Sequence, residues 1–79
     1  MGIVSRERLD CHRLLCPMPV IKTQDRVATM QPGDELEVVC TDPGALNDIP
    51  AWSRINGHQV LESTTRDGEY IVVVRVCEE

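Results

Sequence analysis

"ERLDCHRLLCPMPVIKTQDRVATM", residues 7–30, decides the fold, because two different hydrophobic periods meet within it. From Glu7 to Cys11 the residues alternate, with Leu9 and Cys11 on one side and Arg8 and Asp10 on the other, which predicts a short half-buried strand. From Pro17 to Met30 the apolar residues Val20, Ile21, Val27 and Ala28 recur at helical spacing, while Lys22, Asp25, Arg26 and Thr29 face elsewhere. A strand therefore feeds directly into a helix, and Cys16 stands at the join.

Two prolines follow that cysteine at once. They do not forbid a helix, because the first four backbone N–H groups of a helix have no intrahelical partner and a proline gives up nothing there. Pro17 also biases Cys16 toward an extended backbone, so Cys16 is expected at the N-cap with Pro17 in the first helical position. A thiol at such a place faces the positive end of the helix dipole, which lowers its pKa from about 8.5 toward neutrality and makes it a nucleophile. An ordinary small buried cysteine before a proline-initiated helix is the competing reading.

Downstream, "QPGDE" at 31–35 closes the helix with a proline and a glycine, and Glu35 to Thr41 alternates as a second strand with Leu36, Val38 and Cys40 on one face. In "TDPGALNDIPAWSRINGH" Asp42 is the expected N-cap, Pro43 the first helical residue and Asn56-Gly57 the stop, with Pro50 kinking or restarting the helix near Ile49. Val60 to Thr65 and Tyr70 to Cys77 are two more strands joined at Asp67-Gly68, a strong hairpin signal. "YIVVVRV" is almost continuously apolar, as a central strand should be. The expected fold is α+β: a two-layer α/β sandwich, strand-helix-strand-helix-strand-strand, with a mixed four-stranded sheet and two helices on one face.

Seventy-nine residues make a single domain, 1–79, and its core must come from ten Val, five Ile and six Leu, since there is no Phe and the only large aromatics are Trp52 and Tyr70. The net charge of −5 argues against direct binding of nucleic-acid phosphate. No apolar run approaches a membrane span of about 20 residues, and "MGIVSRERLD" lacks a long apolar leader, so a cytoplasmic protein with no membrane association is expected.

The four cysteines are read as thiols, because the valine-rich core does not need disulfide staples. Cys40 belongs with the core face of its strand, and Cys77 is incidental. Cys11 has two readings: a second thiol that resolves chemistry at Cys16, or a side chain that merely continues the Leu9 face. Cys11, His12, Cys16 and His58 fit none of the paired spacings of a zinc site, so neither metal nor cofactor is expected. His58 is placed in a loop, and Lys22 with Arg26 on a solvated helix face.

"LDCHRLLCPMPVIKT", followed by "GDELEV", "TDPGALNDIPAW" and "GHQVLE", resembles the TusA/SirA family of small sulfur-carrier proteins, whose signature is Cys-Pro-x-Pro at the start of the first helix. The resemblance runs from Leu9 to about Val76 and implies the sandwich derived above, similar to the C-terminal domain of translation initiation factor three. It implies a sulfurtransferase of carrier type, in which Cys16 takes up sulfane sulfur as a persulfide or thiosulfonate and hands it to another protein's cysteine. Donors and acceptors of the kinds cysteine desulfurase, rhodanese and DsrE-like protein are implied, serving dissimilatory sulfur oxidation or sulfur delivery for tRNA thiolation or cofactor synthesis. Pro17 and Pro19 shape the site, and Asp42, Pro43, Asp48, Ile49 and Pro50 match a second, architectural motif. Members commonly carry Gly where this chain has Arg13, which changes the loop and adds a cation near Cys16. The rival function is a redox-regulatory module that closes a Cys11–Cys16 disulfide.

Overall fold

The alternation at 7–11 and 35–41 becomes a pair of neighbouring parallel strands in the computed structural model, which describes residues 5–77. Residues 1–4, part of the stretch read for a leader, and residues 78–79 of the expected 1–79 domain lie outside the described residues. The elements run β1 (Arg6–Cys11), α1 (Met18–Val27), β2 (Glu35–Cys40), α2 (Ala45–Ile55), β3 (Gln59–Arg66) and β4 (Glu69–Arg75). The sheet order is β1-β2-β4-β3. β1 pairs with β2 in parallel, from Arg6 opposite Glu35 to Cys11 opposite Cys40, and β4 is antiparallel to both β2 and β3. A parallel pair needs a crossover connection, and α1 supplies it.

The expected mixed sheet with two helices on one face is what forms. Leu9 and Cys11 of β1, Leu36, Val38 and Cys40 of β2, and Val72 and Val74 of β4 meet Val27 of α1 and Ala45 and Ile49 of α2 in one core. Val39, Ile71 and Val73 point to the other face and form a second buried cluster there. β4 is thus buried on both sides, which is why its sequence is continuously apolar.

Several element ends differ from expectation, each for a local reason. α1 begins at Met18 and not at Pro17, with Pro17 as the capping residue at φ −97° and Pro19 inside the first turn. Cys16 is therefore one residue outside the cap, not the N-cap itself. At the other end α1 stops at Val27, because Thr29 and Met30 donate to Arg26 and Val27 three residues back, the tighter pattern of a closing turn. The face presented by α1 also shifts: Thr23 is fully buried, its hydroxyl donating to the Pro19 carbonyl at 2.8 Å, whereas Ile21 is exposed.

α2 begins at Ala45 with Gly44 before it, and Pro43 lies in the preceding turn. Asp42 does not cap this helix in the ordinary way. One carboxylate oxygen accepts from the Gly44 N–H at 3.1 Å, and the other reaches out of the element altogether. Pro50 is buried within an unbroken α2, so the helix does not restart there. β4 ends at Arg75, two residues before the expected Cys77. No helix among the described residues is long and apolar enough to cross a membrane.

Candidate functional site

Cys16 lies at the end of the sheet where β1 and β2 finish and both helices begin. Its loop is held from two directions. Arg13 N–H donates to Thr41 Oγ1 at 2.8 Å, and Cys16 N–H donates to Asp42 Oδ2 at 3.0 Å, so the turn after β1 is pinned to the turn after β2. The Cys16–Pro17 peptide is cis, and Cys16 and Pro17 are exposed while Pro19 is buried under the first turn of α1. Leu15 and Met18 flank the thiol with 71% and 38% of their surfaces exposed.

The carboxylates around this thiol act against the activation expected of a cysteine at a helix start. The Asp48 carboxylate, in the first turn of α2, together with desolvation and the charge of Asp42, pushes the Cys16 thiol above its ordinary value. Carboxylates oppose a thiolate, and the helix whose partial positive charge would favour it has its cap one residue away. That direction favours the protonated thiol. The added cation does not alter this: Arg13 is exposed and is not among the groups that act on the Cys16 sulfur.

Arg13 contributes through its backbone instead. It adopts φ 66°, the left-handed region in which glycine is unstrained and a side chain is not. That geometry lets the chain turn sharply out of β1 and explains why a glycine suits this position.

The second candidate thiol is placed elsewhere. Cys11 is fully buried, as is Cys40, its register partner in β2. Burial pushes both upward, Cys40 to about 12. Cys11 thus lies in the core and Cys16 at the surface, and Cys40 has the core position expected of it. Cys77 is half-buried, donates its backbone N–H to His58 Nδ1 at 3.1 Å, and its thiol lies 3.5 Å from the Arg75 carbonyl. His58 is therefore more than a loop residue: it ties the end of β4 to the turn before β3 and lies against the Trp52 ring, centroids 5.3 Å apart.

His12, beside the site, bridges two carboxylates. Its Nδ1 meets Asp10, and its Nε2 lies 2.7 Å from Glu69 Oε2 at the start of β4. Both ring nitrogens face acceptors, so the protonated ring is favoured and its pKa rises, while Asp10 is held low first by the His12 backbone N–H, which donates to it at 2.9 Å, and then by the His12 ring. No cluster of His, Cys, Asp and Glu able to hold a metal ion occurs among the described residues. Lys22, Arg26, Asp10 and Asp25 line a groove of about 290 Å³ between β1 and α1, and Arg26 pairs with Glu7 at 3.1 Å; the groove does not include Cys16.

With the geometry in view, the chain was compared with known proteins. The family model described as sulfurtransferase TusA matches residues 7–76. The chain belongs to the TusA family. YrkI of Bacillus subtilis is 46% identical over 60 residues, covering 76% of this chain and 80% of its own. The sulfur carrier protein TusA of Pseudomonas paraeruginosa is 36% identical over 67 residues, 85% of each chain. That of Allochromatium vinosum is 29% identical over 69 residues, 87% of this chain and 91% of its own. A crystal structure of a SirA-like protein from Desulfitobacterium hafniense superposes with a TM-score of 0.80 at 22% identity, covering 91% of this chain and 99% of that one, and so shares the fold.

In this TusA-family chain the sequence singled out Cys16 and its prolines, yet missed Asp42 and Asp48 as neighbours of the thiol. Asp42 is 26 residues from Cys16 and is brought to it only by the parallel pairing of β1 with β2. The "TDPG" block after a strand that pairs with the cysteine's own strand is the signal that would have found it.

Proposed function

We propose that this chain is a sulfur carrier that takes sulfane sulfur onto Cys16 as a persulfide and passes it between protein partners, a sulfurtransferase activity of carrier type. Membership in a family of sulfur-transfer proteins supports the class of reaction. The observation that carries the residue assignment is exposure: Cys16 is the exposed thiol, Cys11 and Cys40 are sealed in the core, and Cys77 is half-buried. An exposed cysteine suits direct hand-over from one protein's cysteine to another's.

Transfer is exchange chemistry at sulfur. The Cys16 sulfur bonds to the outer sulfur of a donor persulfide, the donor's S–S bond breaks, and its electron pair leaves on the donor's inner sulfur; an acceptor thiolate then repeats the step on Cys16. Pro17 and Pro19 hold the loop that presents the sulfur. Suitable donors and acceptors are cysteine desulfurases, rhodaneses and DsrE-like proteins, in the cytoplasm, either in dissimilatory sulfur oxidation or in sulfur delivery for tRNA thiolation or cofactor synthesis.

The test is intact-protein and peptide mass spectrometry after incubation with a persulfidated donor protein. One extra sulfur atom mapped to Cys16, absent from Cys16→Ser, is the expected result. Sulfur on Cys77 in place of Cys16, or none in the wild type, would overturn the assignment. The redox alternative predicts a Cys11–Cys16 disulfide under mild oxidation. Cys11 first has to leave the core, so that disulfide is expected to form far more slowly than Cys16 is modified.

A further inference from the structure

We propose that Cys11 and Cys40 are redox partners: under oxidation they close into a disulfide inside the core, tying the end of β1 to the end of β2 beneath the loops that hold Cys16. The two are the last register pair of the parallel β1–β2 ladder. Neighbouring strands lie about 4.7–4.9 Å apart and a disulfide spans Cα separations of about 4.4–6.8 Å, so residues directly opposite one another are within its reach. Both side chains also leave the sheet on the same side, since both belong to the cluster that meets the helices, and both are fully buried there. Position in the ladder matters as well. Cys11 ends β1 and Cys40 ends β2, so drawing the two sulfurs together disturbs the ladder on one side only.

The fold singles out this pair among the four cysteines. Cys16 lies in an exposed loop with its N–H held by Asp42, whereas Cys11 faces the core. Cys77 follows the end of β4, where Arg75 stands opposite Glu35 at the start of β2, the far end of that strand from Cys40. Closure is exchange with a diffusible disulfide, R–S–S–R, as the oxidant. One core thiolate bonds to a sulfur of R–S–S–R and releases R–S⁻; the other then attacks the mixed disulfide at the cysteine sulfur, and the second R–S⁻ leaves with the electron pair. The two core protons end on two R–SH, and the two electrons lost by the core are gained by R–S–S–R. Burial makes the step slow, because both thiols are held protonated, Cys40 up to about 12, and the oxidant meets them only when the strand ends open. The same barrier keeps reductants from the closed bond. Once formed, the bond encloses all of α1 and so constrains the unfolded chain over that whole stretch. It also fixes the spacing of the two strands from which the Arg13–Thr41 and Cys16–Asp42 hydrogen bonds spring. Oxidation thus stiffens the platform under Cys16 and leaves Cys16 itself unpaired.

The experiment uses the full chain, reduced and then held at pH 8 with oxidised glutathione for several times as long as iodoacetamide needs to reach Cys11 and Cys40 in a parallel sample. Free thiols are then blocked in denaturant, and unreduced peptides are mapped by mass spectrometry. The expected product joins the Cys11 peptide to the Cys40 peptide, two hydrogen atoms lighter than the separate pair. Cys16→Ser is expected to form the same cross-link, so the result does not depend on what Cys16 carries. In that variant, where glutathione cannot attach to the loop, oxidation is expected to raise the urea midpoint by about 1 M or more, a shift absent when Cys40→Ala is added. A cross-link from Cys11 to Cys16, glutathione on Cys11 or Cys40 in place of a cross-link, or both core thiols recovered free would overturn the proposal. So would a closed Cys11–Cys40 bond that leaves the midpoint unchanged or lowers it, since the bond would then not stiffen the platform.

Discussion

Arg13 occupies the left-handed region at φ 66°, where a side chain crowds the following carbonyl. The turn requires that backbone whatever residue fills it, since the Arg13 N–H must reach Thr41 as the chain leaves β1. Replacing it with glycine removes a strain of about 1–2 kcal/mol and gives back part of it as extra freedom of the unfolded chain, for a net stabilisation of about 0.5–1 kcal/mol. Arg13→Gly is therefore expected to raise the urea midpoint, and a lowered midpoint would contradict the strain argument. Because the guanidinium does not act on the Cys16 sulfur, the same variant should leave the alkylation rate of Cys16 unchanged. At that same scale the wild-type thiol should alkylate slowly at neutral pH for an exposed cysteine and accelerate toward the alkaline side of its ordinary range, since Asp48 and Asp42 oppose the thiolate. It should still outpace Cys40, which is sealed from solvent.

Between elements, His12 clasps the end of β1 to the start of β4 across the end of β2, through Asp10 and Glu69. Its folded-state pKa is raised, so its contribution to stability is complete below the unfolded value of about 6.5 and is lost as the pH rises through the folded value. Asp10 behaves oppositely: its pKa is lowered, and its contribution fades as the pH falls through the folded value. The urea midpoint of the wild type should thus drop between about pH 6 and pH 8, and that drop should shrink in His12→Gln. An equal drop in both proteins would mean that the clasp is not what titrates. None of this was legible from His12 alone, which follows a strand end and shows no patterned partner within the sequence. The strands were readable because alternation states which side chains go inward, and the Asp67-Gly68 turn fixes the last pair. Helix ends were less so: the caps depend on whether Pro17 or Cys16 takes the boundary backbone, and whether Asp42 spends its carboxylate on α2 or on the neighbouring loop. For the same reason Cys16 stood out as a candidate while its acidic surroundings did not, as those arise from pairing between β1 and β2 and not from local spacing.

At the scale of the whole molecule an exposed thiol loop is separate from a small core, and that separation can be measured with the protein's own cysteines. For 79 residues the stability margin is roughly 4–12 kcal/mol. Leu36 is fully buried in β2, between β1 and β4, and its truncation to alanine leaves a cavity that costs about 2.7–5 kcal/mol, a large share of that margin. Cys11 and Cys40, side by side in the same core, can meet an alkylating reagent only when the sheet opens, so their modification counts the open population. Cys16 lies outside the core in a loop held by Thr41 and Asp42, and is modified without opening. In Leu36→Ala the alkylation of Cys11 and Cys40 at pH 8 should rise together by about a hundredfold or more, tracking the loss of stability, while the rate at Cys16 changes little. A rise confined to Cys16, or one shared equally by all three thiols, would show that the loop and the core unfold as a unit and that the exposed thiol is not independent of the fold beneath it. A rise at the buried pair alone would show that Cys16 is reached without opening, as a carrier needs: a thiol that partners can meet while the native sheet stays closed.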